Sequence, residues 1–100
     1  MTLDFDYNQA IRQASQIDTI AGEMRTIANR RLTDAISSID TSWDGDTSVI
    51  FLRHCTDTKT RILSKATELE SLAQRVRDVA RVVRETEERA LSEIQASGSD

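Results

Sequence analysis

Apolar residues along this chain return every three or four positions, the signature of helices with one buried stripe. The first series is Ile11, Ala14, Ile17, Ala21, Met24, Ala28, Leu32, Ala35 and Ile39, which predicts a helix over about 7–40. Asp6 followed by Gln9 is a capping pair at its start. Ile20, Ile27 and Ile36 widen the stripe beyond what one neighbouring helix would cover. Gly22 lies inside this segment and costs about 1 kcal/mol relative to alanine.

A second series starts at Leu52 and steps by three then four through Cys55, Lys59, Ile62, Ala66, Leu69, Ala73, Val76, Ala80, Val83, Glu87, Ala90 and Ile94. Only Lys59 and Glu87 interrupt it, so it predicts a helix over about 47–94 with coiled-coil-like packing. Ile50, Leu63, Leu72, Val79, Val82 and Leu91 flank the seam. Asp57 with Arg61, and Glu85 with Arg89, are spaced as i, i+4 ion pairs. Residues 95–100 have the composition of a disordered tail.

Between the two lies the one internal stretch rich in turn residues, 41–46, centred on Trp43-Asp44-Gly45 in a chain without proline. Gly45 can take the positive φ that ends a helix, and Asp46 or Thr47 can cap the next. Trp43 is unusual in a turn, because its large apolar surface needs a partner to cover it. The reading is therefore one all-α domain, an antiparallel hairpin of two long helices.

Length sharpens this. At 1.5 Å per residue the first helix is roughly 50 Å long and the second roughly 70 Å. Folded back, the second overshoots by roughly 20 Å from near Arg81, carrying Val82, Val83, Ala90, Leu91 and Ile94. Two helices share a single contact line, and both stripes are broader than one line needs. The hairpin is expected to complete a four-helix bundle with a second copy or a relative.

Composition narrows the class. The chain has 100 residues, 38% apolar and 30% charged, with aromatics at 4% and a formal charge of −4. Few aromatics suit aliphatic helix packing, and the negative charge argues against a general nucleic-acid binder. No apolar run is long enough to span a membrane, and residues 1–6 carry no basic-then-apolar signal pattern. Synthesis in the cytoplasm, with any export by a route that reads no such signal, is the expectation. Cys55 is the only cysteine, so no internal disulfide forms.

Two long helices with Trp43-Asp44-Gly45 at the midpoint, over essentially the whole chain, resemble the WXG family of small type VII secretion proteins, typified by the early secretory antigens of mycobacteria. Trp43 and Gly45 match the turn motif of that family. The resemblance implies helical hairpins paired antiparallel into homo- or heterodimers, exported through a membrane ATPase without a cleaved signal. It also implies a Tyr-x-x-x-Asp/Glu export pattern near the end of the second helix. Glu87 or Glu88 supplies the acid here, but Val83 or Arg84 holds the tyrosine position, and no aromatic residue follows Phe51. A partner supplying the tyrosine, a reader accepting valine, or a role as an adaptor that stays behind would each account for this departure.

Other chemistry is sparse. Asp40-x-Ser42-x-Asp44-Gly45 matches half of a calcium loop, but Phe51 stands where the closing glutamate is needed. His54 and Cys55 are adjacent on a helix, point about 100° apart and have no second His or Cys to complete a metal site. Cys55 reads as a small seam residue and His54 as solvated. Arg77, Arg81 and Arg84 share a face, but Asp78, Glu85 and Glu88 lie beside them and no aromatics interleave for stacking on bases. No nucleophile–base pair, phosphate-cradling loop or shielded carboxylate pair is visible, so no catalysis and no cofactor are expected. The leading expectation is a secretion substrate or the helical partner of a larger toxin. The alternatives are a cytosolic adaptor, a plain coiled-coil scaffold, or a membrane-perturbing effector. Against the last stand the negative charge and the lack of a lysine-rich face.

Overall fold

A computed structural model describes residues 6–42 and 45–98. The chain folds as a helical hairpin whose first arm joins α1 (Tyr7–Thr26) to α2 (Thr33–Ser42) through a π-helical turn over Ile27–Leu32, without a break. The second arm is one helix, α3 (Asp46–Ser97), running three residues beyond Ile94.

The ends follow local chemistry. The Asp6 carboxylate accepts the Gln9 backbone N–H at 3.0 Å, capping α1. Gly45, at φ 92°, occupies the cap position of α3. Neither Asp46 nor Thr47 caps this helix as the sequence suggests. Asp46 sits in the first turn, where its charge suits the helix dipole. The Ser48 hydroxyl donates to the Gly45 carbonyl at 2.8 Å, tying the turn to the helix it starts. An L-residue at that φ is strained, so Gly45→Ala is expected to lower stability by about 1–2 kcal/mol in urea unfolding. Trp43 and Asp44 lie outside the described residues, as do the side chains of Asp40 and Ser42 from the half calcium loop.

Cross-arm contacts fix the direction of the arms. Tyr7 meets Arg84, Asp18 meets Arg77, Arg25 meets Glu70, and Thr33 meets Lys59. Numbers rise along one arm as they fall along the other, so the arms are antiparallel. The result is a rod of 85 × 17 × 16 Å with a radius of gyration of 23.2 Å, against about 13 Å for a compact domain of this length.

The buried apolar residues are Ala14, Ala21 and Ala28 on one arm and Ala66, Ala73 and Ala80 on the other. Each triplet repeats every seven residues, so each keeps one line along its helix. Methyl groups let the two backbones approach closely, which pushes the larger side chains to the flanks. Among the described residues no large side chain is fully buried.

One departure from the sequence pattern is informative. Heptad spacing continues from Ala28 to Ala35, yet Ala35 is exposed and Ile36 is half-buried in its place. The π turn accommodates one extra residue per turn, which rotates everything after it by one position. It thereby brings Ile36 and Ile39, rather than Ala35, toward the second arm. The Thr33 hydroxyl donates to the Ala28 carbonyl, five residues back, at 3.4 Å. Lys59, the polar break in the second seam, donates its ammonium to Thr33 Oγ1 at 3.0 Å. The lysine thus lies where the register changes.

Gly22 is exposed, and a Cβ built there meets nothing within 4 Å. Gly22→Ala is therefore expected to stabilise the hairpin by about 0.5–1 kcal/mol, measured by urea unfolding.

Candidate partner-binding surface

The alanine seams give the rod two distinct flanks. Except for Ala28, which is followed by the half-buried Leu32, each seam alanine has a charged residue four positions on: Asp18 and Arg25 on the first arm, and Glu70, Arg77 and Arg84 on the second. These meet one another. Arg77 bonds Asp18, and Arg25 bonds both Glu70 and, at 2.9 Å, the Thr67 hydroxyl. The Arg84 guanidinium stacks 4.6 Å from the centre of the Tyr7 ring and donates to Glu88 at 3.1 Å. Hydrogen bonding and attraction to Glu70 raise the Arg25 pKa, and Glu88 does the same for Arg84. Both stay charged at any physiological pH. Exposed pairs of this kind orient helices more than they stabilise them.

The residue before each seam alanine lies on the opposite side. Polar Gln13 and Lys65 stand there before Ala14 and Ala66. Between them come Ile20 and Ile27 on the first arm and Leu72 and Val79 on the second, with Val82 at the outer edge, and these five aliphatic residues are between 42% and 61% exposed. Ala10, Leu72, Arg75, Val76 and Val79 line a shallow groove on this side. One flank is thus closed by charge pairs, while the other presents a strip of aliphatic side chains to water. Such a strip marks a surface that pairs with something.

Both ends of the rod repeat the theme. Val49, Ile50 and Phe51 are exposed at the turn end. At the other end Ala90, Leu91 and Ile94 are exposed, Ile94 at 68%. The uncovered stretch begins later than arm lengths suggest. Val83 is half-buried, because Tyr7 at the start of the first arm still reaches the height of Arg84. Val82 is exposed for a different reason, since it faces the open flank.

The region around the expected export pattern is well defined. Val83 faces the hairpin, Arg84 bridges Tyr7 and Glu88, and Glu87 is half-buried on the seam. Glu87 Oε1 is shielded from solvent and has no hydrogen-bond partner among the described residues. Sequence reasoning missed Tyr7, because the arm that carries it lies far off in the chain and only the antiparallel fold brings it to Arg84.

The remaining candidates resolve simply. Each arginine of the triplet has a carboxylate neighbour: Arg77 has Asp18, Arg81 has Asp78 and Glu85 at 3.9 Å each, and Arg84 has Glu88. Glu85 turns back to Arg81 rather than forward to Arg89, and no ion pair joins Asp57 to Arg61 among the described residues. His54 is exposed and Cys55 half-buried. Among the described residues no three His, Cys, Asp or Glu side chains are grouped to hold a metal ion, and no helix is long and apolar enough to cross a membrane. No family model, curated protein or solved structure matches this chain.

Proposed function

We propose that this chain is a helix-pairing module of a type VII secretion pathway, similar to the WXG proteins, acting as an exported substrate or as the dedicated partner of a larger exported protein. The observation that carries this reading is the aliphatic flank of a hairpin hinged at a positive-φ glycine, with Trp43 two residues before it. Two helices alone leave Ile20, Ile27, Leu72 and Val79 in water, and a second hairpin laid on them would complete a four-helix bundle. The partners are a homologous hairpin or the helical segment of a toxin, together with the secretion ATPase. No enzyme activity, cofactor or nucleic acid enters the reading.

Tyr7 supports the substrate version. The second arm lacks the tyrosine expected near Glu87 and Glu88, and the first arm places an aromatic ring against Arg84 at that height. Export is then expected to fall several-fold in Tyr7→Ala and to persist in Tyr7→Phe, with helicity unchanged in both. The adaptor version is favoured by Arg84 itself, which stands at a tyrosine position and is held by Glu88 within the same arm. In that case Tyr7→Ala leaves the release of a co-purifying toxin intact.

The test of the whole reading is protein abundance in culture medium with and without the secretion ATPase. The reading requires that either this chain or a partner bound to it disappear from the medium when the ATPase is deleted. Equal amounts of both in the two cultures would end it.

A further inference from the structure

The overhang of the second arm has a face with no neighbour among the described residues. Tyr7, at the start of the first arm, reaches the height of Arg84, whereas α3 continues to Ser97. Beyond that height the seam face carries Glu87, Ala90, Leu91 and Ile94. Ala90, Glu93, Ile94 and Ser97 line a shallow groove along it. Helix packed on nothing frays readily, because most helical stability comes from tertiary contact. Glu87 is the sharper signal. Its Oε1 is shielded from solvent with no hydrogen-bond partner among the described residues, and a shielded carboxylate oxygen left unpaired is costly.

The chain contains a segment that fits this face. Met1-Thr2-Leu3-Asp4-Phe5 runs into Asp6, where α1 is capped and the backbone is extended, at φ −92° and ψ 96°. From Met1 to Asp6 apolar and polar residues alternate strictly, the period of an extended strand with one side against an apolar surface. Because the arms are antiparallel, the chain before Asp6 starts out at the base of the overhang. Extended, residues 1–5 span about 17 Å, and α3 rises about 15 Å from Arg84 to Ile94. Continued as helix, the same residues would rise only about 7.5 Å and stop short of Leu91. Leu3 would then point away from Met1 and Phe5.

We propose that residues 1–5 lie extended along the seam face of the overhang, with Phe5 beside Glu87 and Leu3 between Leu91 and Ile94. A backbone N–H of this segment serves Glu87 Oε1. The register follows from matching periods. Two residues of strand advance about 6.6 Å, nearly the rise of about 6 Å from Glu87 to Leu91. Phe5, Leu3 and Met1 therefore meet successive turns of α3 on one side, while Thr2 and Asp4 face water. The overhang is then covered by its own chain, and a partner that uses Leu91 and Ile94 must displace residues 1–5 first. Such a cover holds for an exported or a retained chain alike, so its failure leaves the ATPase-dependent export test untouched.

The experiment uses the full chain carrying Cys55→Ser at low concentration. Leu3→Cys with Ile94→Cys should close to an intramolecular disulfide that keeps the mass of one chain. It should form about tenfold faster than the disulfide of Leu3→Cys with Ile50→Cys, at the turn end, because only the first pair is held together. Equal rates would overturn the placement, and disulfide-linked pairs of chains as the main product would overturn covering by the same chain. Hydrogen exchange supplies a readout without added cysteines. Leu3→Ser with Phe5→Ser should speed amide exchange over 88–97 roughly tenfold and leave 60–80 unchanged. Unchanged exchange over 88–97, or equal acceleration in both stretches, would overturn a cover that acts on the overhang.

Discussion

Ala73→Leu is expected to lower the stability of the hairpin by about 1–3 kcal/mol. Ala73 is fully buried on the seam, in line with Ala66 and Ala80. A seam of methyl groups lets two helices close up, so a longer side chain there has little room. A leucine there must separate the arms or leave its favoured rotamer, and separation also weakens the cross-arm bonds of Asp18 with Arg77 and of Arg25 with Glu70. Leucine is the more hydrophobic residue and an excellent helix former, so both propensity and transfer free energy predict the opposite sign. Urea unfolding followed by circular dichroism decides between them, with Ala90→Leu, on the exposed overhang, as the control that should change little. A stabilised Ala73→Leu would mean that the alanine seam is not a close contact.

The second large effect concerns the π turn. Deleting one residue from a long helix normally rotates everything beyond it by about 100° and takes the apolar stripe off its partner. Deleting exposed Asn29, inside Ile27–Leu32, is expected to do the reverse. It removes the extra residue, lets the segment close as a regular α-helix, and leaves Ile36 and Ile39 facing the second arm. The melting temperature should stay within a few degrees of native. Deleting exposed Thr19, in the regular part of α1, should misplace Asp18 and Ala14 relative to Ala21 and cost upward of about 3 kcal/mol. Equal loss in the two deletions would show that the π turn does not absorb a register shift. The half-buried ammonium of Lys59, bonded to Thr33, marks the same place, and a polar seam residue of this kind specifies register at some cost in stability.

Much of the fold was legible in the residues. Asp6 and Gln9 announced the first cap, Gly45 the turn, and apolar steps of three and four the two arms. The Trp43–Gly45 motif gave a place to look for function, although Trp43 itself lies outside the described residues. What the pattern did not settle was which stripe residues the other arm covers. The pattern set Val83 on the seam and Val82 beside it, as the structure does, yet arm lengths counted both in the uncovered overhang, whereas Val83 is half-buried. Ala35 and Ile36 were likewise assigned to seam and flank in the wrong order, because single-residue register shifts leave no mark in composition. The favoured i, i+4 pair of Glu85 with Arg89 gave way to Arg81, since several exposed partners of similar energy compete for one carboxylate.

Helix periodicity and turn chemistry are local properties, and they determined by themselves that this chain would be two long helices folded back at Gly45. The tertiary structure decided which small residues let the helices touch, where Tyr7 would meet Arg84, and which aliphatic side chains were left outside. Those outcomes depend on the distance and rotation between the two arms. That distance is set by the alanines of both seams acting together, a quantity that neither arm encodes alone.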